Sequence, residues 1–112
     1  MAQQTFVADG ELQWLNLEMF PETQILPLAV PVPEGSMHRL RMKKGTVIPM
    51  HTHPCDEYVY VLTGSIKTGP QVCAAGTFWH TPAQVAQGPH QALTDVELLT
   101  VRLGAMGMFE RS

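Results

Sequence analysis

Apolar and polar side chains alternate along several short segments of this chain. Over residues 38–42, His, Leu and Met alternate with two arginines, and residues 57–62 and 96–103 are rich in Val, Leu, Tyr and Thr. A period of two is typical of β-strands, and β-branched and aromatic residues favour them. After Gly35 no segment has the periodicity of a helix, so the pattern predicts strands.

Glycine and proline separate these segments at short intervals. Such turn signals occur at residues 31–35, 44–45, 63–64, 69–70, 75–76 and 88–89. Short strands between regularly spaced turns are typical of antiparallel sandwiches and jelly rolls. The sequence therefore predicts an all-β domain of this kind.

The first part of the chain is less regular. Three prolines between residues 21 and 31 limit regular structure, whereas residues 24–30 carry enough Ile, Leu and Val to form a strand. We predict that residues 1–35 form an extended arm that packs on the barrel or on a partner subunit. Residues 36–112 would then form the barrel, in one domain overall.

The length and the net charge of the chain limit the classes of function that it can have. A chain of 112 residues that is 45% apolar can form one domain with its own core. Its net charge of −3 gives no basic field of the sort that nucleic-acid binders use. Arg39 and Arg41 alternate with apolar residues, which indicates the solvated face of a strand. We expect no nucleic-acid partner.

Two features that the sequence lacks indicate the cellular compartment of the protein. No apolar run approaches the roughly 20 residues of a membrane span, and residues 1–6 lack the features of a signal peptide. We therefore expect a cytoplasmic protein with no membrane partner. Cys55 and Cys73 are expected to be reduced thiols, because paired cysteines are rare in that compartment.

The segment between Gly45 and Gly64 carries three side chains that can bind a metal ion. His51 and His53 are two residues apart, so on a strand both imidazoles lie on the same face, roughly 7 Å apart along the backbone. A short loop then allows Glu57 to close on the same ion. Two imidazoles and a carboxylate suit Fe, Mn, Co, Ni or Zn. The alternative is a solvated hairpin, which the flanking apolar residues disfavour.

The same segment resembles the first motif of the cupin superfamily. That motif reads Gly-x5-His-x-His-x3-Glu-x6-Gly, and this chain matches it at every specified position from Gly45 to Gly64. The resemblance covers roughly residues 36–103 and implies a jelly-roll barrel. It also implies that His51, His53 and Glu57 bind one divalent transition metal ion, with iron favoured over Zn, Ni, Mn or Co.

The second cupin motif supplies a further histidine, and here it is less regular. The chain has Gly76-Thr-Phe-Trp-His-Thr-Pro82, but the loop to His90 is three residues longer than the family pattern. We predict His90 as the fourth ligand. Gln87 occupies the position that strict spacing assigns, and His80 is a weaker alternative.

Strand alternation predicts which side chains line the cavity. If Glu57 points inward, so do Val59 and Val61, and His38 shares the inner side of its strand with Leu40 and Met42. The predicted pocket contains His38, Val47, Val59, Val61, Phe78, Trp79 and Gln87. Phe78 and Trp79 lie on opposite faces of one strand, so one of them should reach the cavity.

The opposite face of the strand at residues 57–62 carries Tyr58, Tyr60 and Leu62. An apolar outer face of this kind predicts a homodimer formed through this strand or through the N-terminal arm. The alternative is that the second sheet or the C-terminal tail covers it.

The resemblance extends to small single-domain cupins of the acetylacetone dioxygenase and dihydroxyacetophenone dioxygenase types. It implies an Fe(II) dioxygenase acting on a small enolisable, β-dicarbonyl or aromatic ketone substrate. Glu57 would serve as ligand or as catalytic base. Two alternatives stay open, a zinc-binding regulatory module similar to the cupin domain of some anti-sigma factors and a sugar isomerase or epimerase. One fold hosts many reactions, so the sequence does not decide among them.

Overall fold

The computed structural model describes residues 2–109, which form β-strands, turns and loops. The strands are β1 (Leu15–Asn16), β2 (Thr23–Ala29), β3 (Ser36–Met42), β4 (Val47–Ile48), β5 (His51–Thr52), β6 (Glu57–Thr63), β7 (Ser65–Thr68), β8 (Gln71–Ala74), β9 (Phe78–Thr81), β10 (His90–Ala92), β11 (Val96–Arg102) and β12 (Met108–Phe109). The all-β prediction is confirmed. Within the described range, no helix is long and apolar enough to cross a membrane.

Two sheets face each other across the core. The larger has the order β1-β2-β3-β11-β6-β9, the smaller has the order β4-β10-β7-β8, and β12 pairs with β5 in a third, two-stranded sheet. Neighbouring strands are antiparallel throughout. The core joins the inner faces of both large sheets and comprises Met42, Ile48, Val59, Val61, Ile66, Cys73, Ala92, Val96 and Leu98. Apolar burial at this interface is what holds the barrel together.

The strand alternation follows the predicted pattern. On β6, Glu57, Val59 and Val61 are buried, whereas Tyr60 on the opposite face is 44% exposed. Inward and outward positions differ because successive side chains of a strand point to opposite faces. The homodimer through this outer face stays a prediction, which light scattering of the purified protein would check.

The N-terminal segment is part of the large sheet. β2 pairs with β3 along most of its length, so the predicted boundary at residue 35 lies between two paired strands of the same sheet. Before β1, Trp14 lies under the guanidinium of Arg41, 3.9 Å from the ring centroid. Arg39 contacts Asp9 at 2.7 Å and Glu97 at 2.5 Å. The basic residues of β3 are therefore engaged within the chain.

Both cysteines are free thiols, Cys73 in the core and Cys55 partly buried in the loop before β6. This agrees with the expectation of reduced cysteines. Cys73 acts as a small apolar side chain there.

Gly64, which closes the metal-binding motif, makes the tight turn between β6 and β7. Its φ is +80°, and a Cβ at this position would meet the backbone oxygen of Asp95. Gly76 has a similar φ of +91° but faces open space. Substitutions at the two glycines therefore distinguish the effect of backbone strain from the effect of steric crowding.

We expect Gly64→Ala to lower the free energy of unfolding by about 3 kcal/mol or more, since the turn must shift as well as accept a strained φ. Gly76→Ala, the matched control, should cost only about 1–2 kcal/mol, the cost of the left-handed conformation alone. Urea denaturation measures both. Equal losses for the two variants would contradict the role assigned to crowding at Gly64.

Candidate metal centre

The segment carrying the two histidines is held by backbone pairing on both sides. β5 pairs with β12, where His51 lies opposite Phe109 and Thr52 opposite Met108. On its other side, the backbone of His51 exchanges two hydrogen bonds with Gln87, at 3.0 and 2.9 Å. The site is therefore built from chain segments that are distant in sequence.

Three side chains converge at the open end of the barrel. The ligand atoms of His51, His53 and Glu57 all lie within 4.8 Å of one another. All three residues are buried, with exposed fractions of 5–7%. A carboxylate and two imidazoles buried together are costly unless they share a partner. This grouping supports the metal site that the sequence motif predicts.

The contact between His53 and Glu57 has the spacing of two ligands on one ion. Nε2 of His53 lies 3.1 Å from Oε2 of Glu57, yet the geometry is not that of a hydrogen bond. Two ligand atoms at about 2.1 Å from an ion and at right angles to each other are about 3.0 Å apart. The side chains present thus fit a transition metal ion bound between them.

The outer nitrogens of both imidazoles are fixed by backbone carbonyls. Nδ1 of His51 donates to the carbonyl of Pro49 at 2.9 Å, and Nδ1 of His53 donates to the carbonyl of Met106. Each bond places the proton on Nδ1 of the neutral ring, so Nε2 carries the lone pair. Partners of this kind orient metal-binding histidines.

Glu57 is held in place from its other oxygen. Nε2 of Gln87 donates to Oε1 of Glu57 at 2.9 Å. Burial would raise the pKa of Glu57, but the contacts with His53 and Gln87 outweigh it and keep the pKa below its ordinary value. The same pairing holds the pKa of His53 above its usual range, although burial alone would lower it. Glu57 is therefore ionised at neutral pH and suited to be a ligand.

The predicted fourth ligand, His90, lies beside the three. Its ring centroid is 5.3 Å from that of His51 and 5.8 Å from that of Trp79. Burial lowers its pKa to about 4, so the ring is neutral at pH 7. Its Nδ1 is buried and, among residues 2–109, has no hydrogen-bond partner. His90 as fourth ligand stays a prediction, which the position of its ring beside that of His51 supports.

The two alternatives to His90 are placed differently. Gln87 is next to the site, but its amide nitrogen is engaged with Glu57, and its Oε1 is buried without a hydrogen-bond partner in the described part of the chain. His80 points to the outer surface, where it contacts Asp56 at 3.0 Å and stacks on Tyr58. The structure therefore places His80 away from the cavity.

A cavity of about 170 Å³ adjoins the three ligands. Of the predicted pocket residues, His38, Val59 and Trp79 line it. Val61 does not line the cavity and is fully buried in the core instead. Two predictions are corrected by the register of their strands, since Val47 is 50% and Phe78 56% exposed on outer faces. Gln87 is not among the residues that line the cavity and instead donates a hydrogen bond to Glu57. Of the two aromatic residues on β9, Trp79 is the one that reaches inward.

Sequence reasoning missed two residues at the site. Met106 provides the carbonyl for His53 and lines the cavity, and Arg102 lines the cavity from β11. The period of two on β11 could have indicated Arg102, because residues 96, 98 and 100 on the same face are all buried. The irregular segment around Met106 gives no comparable signal. Gly107 allows its close approach, since a Cβ there would meet the carbonyl of Thr52.

These features define a class of protein: a cupin with a candidate metal site formed by His51, His53 and Glu57. A family comparison is more specific, because the ChrR cupin-like domain matches residues 2–107. The chain belongs to that family. No functionally curated protein matches it significantly.

Solved structures of low sequence identity share the fold. A putative acetylacetone dioxygenase from Methylibium petroleiphilum superposes with a TM-score of 0.82 at 14% identity, covering 93% of this chain and 79% of that one. KdgF from Halomonas sp. gives 0.75 at 20% identity, with 88% and 94% covered. The structure of Rhodobacter sphaeroides SigE in complex with the anti-sigma ChrR gives 0.72 at 18% identity, with 85% and 51% covered. At these identities the likeness shows the fold alone.

We expect His51→Ala and His53→Ala each to lower metal affinity by more than about 100-fold, because losing a ligand costs more than losing the partner that orients one. His90→Ala should also weaken binding strongly. Elemental analysis and metal titration measure these effects, with circular dichroism as the check on folding. His80→Ala is the control and should keep its metal.

Full metal content in His53→Ala would contradict the three-residue site. Full content in His90→Ala would leave that site intact and exclude His90 as the fourth ligand.

Proposed function

We propose that this chain is an Fe(II)-dependent dioxygenase that cleaves a small enolisable β-dicarbonyl substrate. The observation that carries the proposal is the position of His51, His53 and Glu57, which line a cavity rather than a filled core. A site that leaves room beside the ion is typical of catalytic metals. Iron(II) bound there would supply open coordination positions and a redox-active centre, while the substrate, which is oxidised as its carbon–carbon bond is cleaved, would supply the electrons that reduce dioxygen.

His51, His53 and Glu57 would hold the ion, with His90 as the proposed fourth ligand. Glu57 is better suited to binding than to proton abstraction, because its pKa lies below the ordinary value and both of its oxygens are engaged. We therefore assign Glu57 the role of metal ligand rather than that of catalytic base. Gln87 would keep the carboxylate oriented.

The walls of the cavity would hold the substrate and exclude water. Ile48, Val59 and Leu98 form apolar surface, and Trp79 lies beside Val59 on the neighbouring strand. A dry cavity protects reactive intermediates and strengthens electrostatic interactions with the substrate. The volume of the cavity is about 170 Å³, which suits a small substrate.

The test is oxygen uptake by the iron-loaded protein with acetylacetone and related β-diketones. We expect uptake in proportion to substrate consumed, with each dioxygen molecule accounted for in two carbonyl-containing fragments. His53→Ala should lower the rate by at least about 100-fold, and His80→Ala should leave it unchanged. Protein loaded with zinc, which has no redox chemistry, should consume no oxygen.

Absence of oxygen uptake by iron-loaded protein with every member of a β-diketone and hydroxyacetophenone panel would contradict the proposal.

A second candidate is a zinc-binding regulatory module. Family membership favours it, since the family is defined by the cupin-like domain of ChrR, and ChrR is described as an anti-sigma factor in complex with SigE. Such a module would retain zinc on purification and would show no oxygen chemistry. Elemental analysis of protein purified without chelators, followed by the uptake assay, therefore separates the two functions. We propose a cytoplasmic location in either case, which cell fractionation would check.

A further inference from the structure

Arg102 is the last residue of a row of inward-facing side chains on β11. Val96, Leu98 and Thr100 precede it on the same face, and all three are buried. Arg102 continues the row at the open end of the barrel and lines the cavity beside the metal ligands. A charged residue at an inward position is uncommon and calls for a partner.

The register of the large sheet puts Arg102 between two polar residues of the cavity. It lies opposite Ser36 on β3 and opposite Glu57 on β6. Side chains directly opposite on neighbouring antiparallel strands have Cβ atoms about 5 Å apart. The guanidinium thus belongs to the same row of side chains as the carboxylate of the metal site.

The guanidinium is not neutralised within the described part of the chain. Its Nε donates to the carbonyl of Gly104 at 2.9 Å, and no carboxylate of residues 2–109 forms an ion pair with it. Arg39 on β3 differs, since it pairs with both Asp9 and Glu97. The bond from Nε fixes the plane of Arg102 and leaves the terminal nitrogens for another group.

The charge of Arg102 acts inside the cavity. His38, two residues along β3 from Ser36, has its pKa lowered to about 4, first by burial and then by the charge of Arg102. A divalent ion would add two positive charges, against one negative charge from Glu57. With neutral imidazoles, the cavity would therefore carry an excess of positive charge.

We propose that Arg102 is a carboxylate-binding residue of this cavity, and that its ligand is a small β-oxo acid. The carboxylate would pair with the terminal nitrogens of Arg102, which offer a planar fork suited to it. The oxo end would face the metal ligands. The assignment rests on the proposed metal site and narrows the β-dicarbonyl class to members that carry a carboxylate.

A matched pair of ligands tests the assignment by binding rather than turnover. Acetoacetate and acetylacetone are nearly equal in size, but only the first is a carboxylate. We would titrate each into zinc-loaded protein by calorimetry, after elemental analysis has confirmed metal content. The wild-type protein should bind acetoacetate at least about tenfold more tightly than acetylacetone, as expected for a charge-assisted hydrogen bond.

Arg102→Gln should remove this preference. It should weaken the binding of acetoacetate by about tenfold or more and leave the binding of acetylacetone unchanged. Arg102→Lys keeps the charge without the fork and should give an intermediate affinity. Arg41→Gln is the control, because Arg41 stacks on Trp14 outside the cavity. If Arg102→Gln fails to fold, Arg102→Lys alone still tests the proposal. A weaker affinity for acetoacetate in that variant would support binding by the guanidinium, and an unchanged affinity would contradict it.

Equal weakening of both ligands by Arg102→Gln would assign Arg102 a structural role and overturn the proposal, as would a wild-type protein without preference for acetoacetate. These outcomes are separate from failure of the dioxygenase proposal. Arg102-dependent binding without oxygen uptake would support the carboxylate site and reject the enzyme. Oxygen uptake with acetylacetone that is equal in the wild-type protein and Arg102→Gln, together with no binding preference for acetoacetate, would support the enzyme and reject the carboxylate site. Protein that takes up no metal would be recognised by elemental analysis and would overturn both.

Discussion

The pairing of β11 with both of its neighbours is the constraint on which this structure depends. β11 is hydrogen-bonded to β3 on one side and to β6 on the other, so its register fixes all three strands relative to one another. The inward row of β11 begins in the core at Val96 and ends at the cavity with Arg102. A slip by one residue would move every apolar side chain of the row outward. Core packing thus sets the position of the site.

The buried polar groups at the open end explain why a metal site and this core can coexist. His51, His53 and Glu57 would destabilise an apolar interior if each were left without a partner. They are instead arranged around one another, with backbone carbonyls fixing the outer nitrogens. The buried Nε2 of His53, which has no hydrogen-bond partner in the described part of the chain, marks the part of this arrangement that protein groups alone do not complete. A bound cation would satisfy these groups together.

Much of the fold and of the first motif could be predicted from the sequence because both depend on local spacing. The two-residue period put His51 and His53 on one face, and alternation on β6 placed Glu57 and Val59 inward. Long-range register decides the rest. Val47 and Phe78 face outward because of pairings that no local pattern encodes, and Met106 reaches His53 only through folding of a distant segment.

That distant segment has a consequence for how the protein acquires its metal. The carbonyl that orients His53 belongs to Met106, 53 residues later in the chain, and β12, the strand that pairs with β5, follows Met106. A ribosome releases the ligands well before it releases the residues that align them. A metal ion would then be held at full strength only after the barrel has formed and the segment from Met106 to β12 has joined it.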